Sequence, residues 1–252
     1  MSIIRTHTKT GDYQQAEKDL AEAMRTSTIP TAEFIENLHL FITPQQMRRI
    51  YFLTEVYKKI LNVPGCVMQF GVRWGRELAL FESLRTLFES FHHARHVIGF
   101  DTFDGYAGVD EKDGSHQVMA EGNLATHENY ADELNQILEI RNRLDPLGQI
   151  PKHGLVKGDV CETLPAYLEQ NPQTVVALAH LDMNIYAPTK AVLEILRPHM
   201  PKGAVVVIDE VGLKSMPGET VALKEVFGGL QNLRLERIYP GNTTWQGYYV
   251  VE

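Results

Sequence analysis

Two continuous apolar runs, at residues 175–181 and 204–208, constrain this chain most. A segment apolar at every position suits a strand buried on both faces, as in a parallel sheet covered by helices above and below. Earlier segments repeat the pattern. A Pro64-Gly65 break precedes the strand-like residues 66–70, and a helix is expected from Arg76 to about Phe91. Residues 96–100 and 155–159 read as further strands, 130–144 as a helix, and 163–170 as a helix with Pro165 in its first turn. Helices are also expected over 188–200 and 217–229. Residues 233–238 and 247–251 read as two closing strands, whose short connector predicts an antiparallel pair. The order predicts an α/β, Rossmann-like, doubly wound, mostly parallel sheet with an antiparallel edge strand.

Residues 1–62 read as a helical N-terminal extension. A polar helix is expected over 12–25, then a segment capped by Thr31, then a helix opened by Thr43-Pro44. Arg48 and Arg49 read as a solvated face of that last helix. The main domain runs from 63 to 252. Within it, residues 105–130 are rich in Gly, Asp and His without periodicity and read as a loop or lid; loops of that length inside a domain are often functional.

The 252 residues, 44% of them hydrophobic, suffice for one large core. Lys plus Arg number 24 against 32 Asp plus Glu, a net charge of -8, which argues against nucleic acid as a partner. Cys66 and Cys161 form neither a CxxC pair nor a zinc pattern. No signal-peptide h-region is read, and no apolar run nears the ~20 residues that span a bilayer. The expectation is a cytoplasmic protein with no membrane partner.

Candidate chemistry lies at the strand ends. Gln69-Phe-Gly71-Val-Arg-Trp-Gly75-Arg joins a strand to a helix; bare glycine backbone and free helix N–H groups admit a ligand closely. It is not the G-x-G-x-x-G of dinucleotide folds. Asp101 ends the next strand, where a carboxylate can accept both hydroxyls of a ribose or simply cap a turn. Asp159, followed by Val160, suits the amine of adenine or an Asx turn. Adjacent strands should bring Asp182, Asp209 and Glu210 together. Three neighbouring acids repel unless protonated or bridged by a cation, so they either hold Mg²⁺ or serve as caps and ion pairs.

Four pieces in order give the chain its family likeness: Phe70-Gly71-Val72 with Gly75, Asp101-Thr-Phe-Asp-Gly105, Gly158 with Glu162-Thr-Leu-Pro165, and Asp182-Met-Asn-Ile-Tyr186 followed by Asp209-Glu210. Across residues 64–228 the chain resembles the macrocin O-methyltransferase family, which methylates sugar hydroxyls of antibiotics and related glycosides. The resemblance implies an S-adenosylmethionine site along Gln69, Gly71, Gly75, Asp101, Thr102, Phe103, Asp159, Val160 and Asp182. It implies Mg²⁺ ligands at Asp182, Asp209 and Glu210, with Asp182 the catalytic base, and an N-terminus and 105–130 loop that cover a glycoside substrate. The chain departs from the family at Gln69, where Glu is usual, at Asn184, often a second Asp, and at Glu210, often Asp. These departures motivate a rival reading, a non-catalytic S-adenosylmethionine-binding partner protein. An NAD-dependent oxidoreductase is disfavoured by the missing fingerprint. Tyr186, His116 and His127 are candidate substrate contacts, and Trp74 either touches cofactor or packs. Trp245 is expected in a turn near the substrate edge. The closing strands offer an edge on which two copies could form a homodimer.

Overall fold

The computed structural model describes residues 11–239 and 245–252. Residues 241–244 of the turn expected around Trp245, over 241–247, and the first ten residues of the N-terminal extension lie outside them. Six strands form one sheet in the order β3-β2-β1-β4-β5-β6: β1 Cys66–Phe70, β2 Val97–Asp101, β3 His153–Lys157, β4 Val176–Leu181, β5 Val205–Ile208 and β6 Gly247–Val250. All neighbours pair in parallel except β5 and β6. β1, β4 and β5 are buried at every position, as their mainly apolar character requires, with Gln69 and His180 the polar residues among them.

Helices cover both faces. One face packs on α3 (Pro44–Lys59), α4 (Arg76–Phe88) and α5 (Tyr130–Arg143), through Phe52, Val56, Leu78, Phe81 and Leu138. The other packs on α6 (Val160–Gln170), α7 (Tyr186–Leu196) and α8 (Gly218–Phe227), through Leu164, Val192, Leu193 and Leu223. The sheet is therefore doubly wound. Thr43 opens α3 with a reciprocal cap: its side chain accepts from the Gln46 N–H, and the Gln46 side chain accepts from the Thr43 N–H.

Three expectations need correction. Residues 233–238 form no strand; only Glu236 bridges to Tyr248, antiparallel, so β6 pairs directly with β5. Thr31 is not a cap but the first residue of a four-residue helix, α2 (Thr31–Phe34), behind Pro30. Arg49 is not solvated, as the site geometry below makes clear. α1 (Gly11–Arg25) forms as expected but buries no residue. The 105–130 loop packs rather than hangs: Tyr106 and Val118 join Ile185 and Met216 in a small core of their own.

Candidate active site

All the strand ends that carry the expected residues open into one cavity of about 1120 Å³. Its walls include Gly71, Asp101, Thr102, Asp159, Val160, Asp182, Asp209 and Glu210. Tyr13 and Glu17 of α1 and Thr43–Gln46 at the start of α3 also line it.

The glycine turn is held from below. Asp101 Oδ2 accepts from the backbone N–H of Val72 (2.6 Å) and Arg73 (2.7 Å), and its Oδ1 from Phe103 (2.6 Å). Its carboxylate thus fixes the turn around the cavity as well as facing it. Gly71, with φ +85°, lies against the Asp182 backbone, where any side chain would collide. Asp159 sits beyond β3 as the N-cap of α6, accepting from the Cys161 N–H at 2.9 Å; Val160 lines the cavity beside it.

Several expected contacts are not among the cavity's lining residues. Gln69 is buried and donates to the Gly71 carbonyl at 3.1 Å. Gly75 is the left-handed N-cap of α4, pressed against Leu134. Phe103 packs in the core against Tyr130. Tyr186 is buried in the core away from the cavity, its hydroxyl donating to Glu225 at 2.6 Å and its ring lying under Lys112. His116 is held in the loop, accepting from Val118 N–H. His127 meets the ring of Trp74, itself a cavity wall stacked edge-on to Tyr130. Trp245 also lines the cavity.

The acidic cluster holds an unforeseen centre. Arg49 donates through Nη2 to Asp182 Oδ2 (2.6 Å), through Nη1 to Asp209 Oδ1 (2.9 Å) and through Nε to Glu77 Oε1 (2.5 Å). The signal was present in the sequence: Arg49 shares a helical stripe with the buried Phe52, Leu53 and Val56, so it faces inward. Asp182, Asp209 and His180 are brought together, one ligand atom of each within 4.8 Å of the others. Glu210 is not in that group. Its Oε2 accepts from Asn184 Nδ2 (2.7 Å), while Asn184 Oδ1 accepts from Tyr106 (2.7 Å).

Glu219 was also missed. Fully buried, it accepts from the backbone N–H of Met183 (3.1 Å), Asn184 (3.0 Å) and Glu210 (3.0 Å), tying the two loops that carry the acids. His180 is a histidine inside an apolar strand two residues before Asp182, hence on the same face.

Burial, then the charge of Asp209, pushes Asp182 well above the usual carboxylate range. Burial and Asp209 do the same to Glu210. Burial would raise Asp209 too, but Arg49 and His180 beside it and the Gln246 amide hold it low. Glu219 is pushed up to about 7 by burial, against the opposing pull of its backbone N–H partners. Five carboxylates (Glu77, Asp182, Asp209, Glu210, Glu219) thus meet two guanidinium groups, Arg49 and Arg76. That excess, in hard oxygen ligands, fits a divalent cation. The bare Gly71 backbone and the fixed turn likewise fit a cofactor that lies close on the sheet edge.

A model of the macrocin O-methyltransferase family matches residues 4–227. The crystal structure of CalS11, a calicheamicin methyltransferase, is 37% identical with a TM-score of 0.92, covering 96% of this chain and 93% of that one. The apo structure of CalS11, described as a TDP-rhamnose 3'-O-methyltransferase of calicheamicin biosynthesis, is 35% identical with a TM-score of 0.83, covering 96% and 95%. The O-methyltransferase NovP shares the fold at 19% identity and a TM-score of 0.60, covering 84% and 81%. No curated protein sequence matches this chain.

Proposed function

We infer the reaction from one premise: the chain belongs to the macrocin O-methyltransferase family and is an S-adenosylmethionine-dependent O-methyltransferase. The acceptor we propose is a hydroxyl of a sugar in a glycosylated natural product or its activated precursor. The observation that carries this reading is the shared cavity, whose one side is the glycine turn and Asp101 and whose other is Asp182 and Asp209. A nucleotide-linked sugar, the acceptor named for CalS11, suits a further feature. Arg48, Arg73 and Arg237 line the cavity and make no ion pair among the described residues, leaving cationic groups for phosphates.

S-adenosylmethionine, when bound, supplies an electrophilic methyl group. Gly71, Asp101, Thr102, Asp159 and Val160 would hold it along the sheet edge. Asp182 adjoins Gly71 and keeps Oδ1 toward Asn184 only at 3.5 Å, so that oxygen is placed to take the acceptor hydroxyl's proton. Burial makes Asp182 a stronger base than a surface carboxylate. Mg²⁺, held by Asp182 and Asp209 with Glu210 as the family's third position, would lower the pKa of the hydroxyl. The cytoplasm is the proposed setting, consistent with two free cysteines and with no described helix long and apolar enough to cross a membrane.

Incubation with S-adenosylmethionine and a panel of nucleoside-diphosphate deoxysugars and neutral glycosides, read by mass spectrometry, tests the reading. A 14-dalton gain on a sugar acceptor, lost in Asp182→Ala, is expected from replacing one hydrogen by methyl. S-adenosylhomocysteine binding without transfer to any sugar would favour the partner-protein reading instead.

A further inference from the structure

Arg49 stands where a cation between the two acids would stand. Its Nη2 reaches Asp182 Oδ2 at 2.6 Å and its Nη1 reaches Asp209 Oδ1 at 2.9 Å. The guanidinium therefore already answers the charge of the pair. A second observation marks the same place as a ligand seat. His180 is fully buried, and among the described residues neither ring nitrogen has a hydrogen-bond partner. Buried polar atoms are ordinarily paired, so an imidazole bare at both nitrogens calls for an explanation. One of those nitrogens and an oxygen of each aspartate lie within 4.8 Å of one another.

We propose that Arg49 and a divalent cation compete for a single seat between Asp182 and Asp209, with His180 supplying the cation's third ligand. The proposal rests on the metal-assisted reading above and specifies how this chain realises it. Two consequences separate it from a simple acidic site. An imidazole with two carboxylates favours a transition ion such as Mn²⁺ over Mg²⁺. The ion also has to displace a guanidinium that is tied through Nε to Glu77 at 2.5 Å. Its arrival therefore releases the first half of α3, the segment whose residues Thr43–Gln46 wall the cavity. Cation binding and the seating of that wall are negatively coupled.

The test is a titration of the metal-free full chain with Mn²⁺, following the electron paramagnetic resonance of the free ion, with melting curves alongside. Wild type, Arg49→Gln and the double variant Arg49→Gln/His180→Phe are compared. Arg49→Gln should bind Mn²⁺ on the order of tenfold tighter than wild type. It should melt lower without metal and gain more on adding Mn²⁺. The double variant should lose that gain by about tenfold or more. Equal Mn²⁺ affinity in wild type and Arg49→Gln would overturn the competition, and equal affinity in the single and double variants would overturn the role of His180. Should no form bind Mn²⁺ while S-adenosylhomocysteine still raises the melting temperature, the metal-assisted reading falls with the proposal. Arg49→Lys, which keeps the charge but loses the two-pronged reach, covers the case in which Arg49→Gln does not fold; it should fall between the two affinities, and an affinity equal to wild type counts against the competition.

Discussion

A methyl group added at Gly71 would stand 2.0 Å from the Asp182 carbonyl oxygen, so the cofactor turn and the acidic strand end touch through bare backbone. The contact is why one sheet edge can carry both a cradle and a base. Gly71→Ala should therefore do more than strain a left-handed residue, a cost of roughly 1–2 kcal/mol. It should push the two strand ends apart and lower kcat/KM by about 100-fold, as misplacement near 1 Å does. Gly108, at φ +79° but with no atom of the described residues within 4 Å of its added carbon, is the control. Gly108→Ala should carry only the backbone strain and leave the melting shift by S-adenosylhomocysteine intact. Identical behaviour of the two variants would refute the close-contact argument.

Glu219 acts on the same edge without lining it. Its carboxylate satisfies three backbone N–H groups in the loops after β4 and β5. Removing it leaves buried donors unpaired, at about 1–3 kcal/mol each in the worst case. Glu219→Ala should lower stability by roughly 3 kcal/mol in urea unfolding and reduce kcat more than KM for the cofactor. Glu219→Gln keeps one acceptor oxygen, enough for the Met183 and Asn184 N–H groups, but turns an amide donor toward the Glu210 N–H, so it should recover only part of the stability. A kcat unchanged in Glu219→Ala would show that the loops hold their positions without it.

The sheet was legible because its signals are local. Unbroken apolar runs and the helix-period segments between them place β1, β4 and β5 within a residue of where they lie. The acids at the strand ends followed from the same alternation. What local sequence could not deliver was the partner of each polar group. Arg49 lies 133 residues from Asp182 in the chain, and only its place on a buried helical stripe hinted at an inward turn. Residues 233–238 carry strand-like composition, yet β6 takes the place beside β5 and leaves them a single bridge. Tyr186 sits in the most distinctive motif, but it is buried in the core, with its hydroxyl drawn to the Glu225 carboxylate beside two lysines and away from the cavity. Composition cannot choose between those two directions.

On mild acidification His153 should cost stability, while the buried carboxylates Asp182, Glu210 and Glu219, whose raised values let the native state take up protons first, act in the opposite sense. His153, partly buried, is held below its ordinary value of 6.5, first by burial and then by Arg85 and Lys152. The unfolded chain takes up a proton near pH 6.5 that the native imidazole refuses until lower pH. The stabilising difference is thus full above about 6.5 and is lost as pH falls below it. Urea midpoints measured at pH 7.5 and 5.5 isolate the His153 share: on going to pH 5.5 the midpoint of His153→Gln should move less downward, or further upward, than that of wild type. The same midpoint change in His153→Gln and in wild type would show that His153 carries none of the pH dependence.

The 105–130 loop should behave as a latched wall rather than a free lid. Asp113, fully buried, accepts the Tyr186 backbone N–H at 2.5 Å, where it also answers the free donors at the start of α7. Lys112 pairs with Glu225 at 2.8 Å, but both ends are well exposed, so that link adds little. Asp113→Ala should therefore free the loop while Lys112→Ala does not. Hydrogen exchange over residues 105–130 should be slow in wild type and Lys112→Ala and at least about tenfold faster in Asp113→Ala, the opening expected for ~1–2 kcal/mol of lost capping. Exchange in the wild type as fast as in Asp113→Ala would show that the buried carboxylate does not hold the loop, and Tyr106 with its bond to Asn184 would become the next tether to remove.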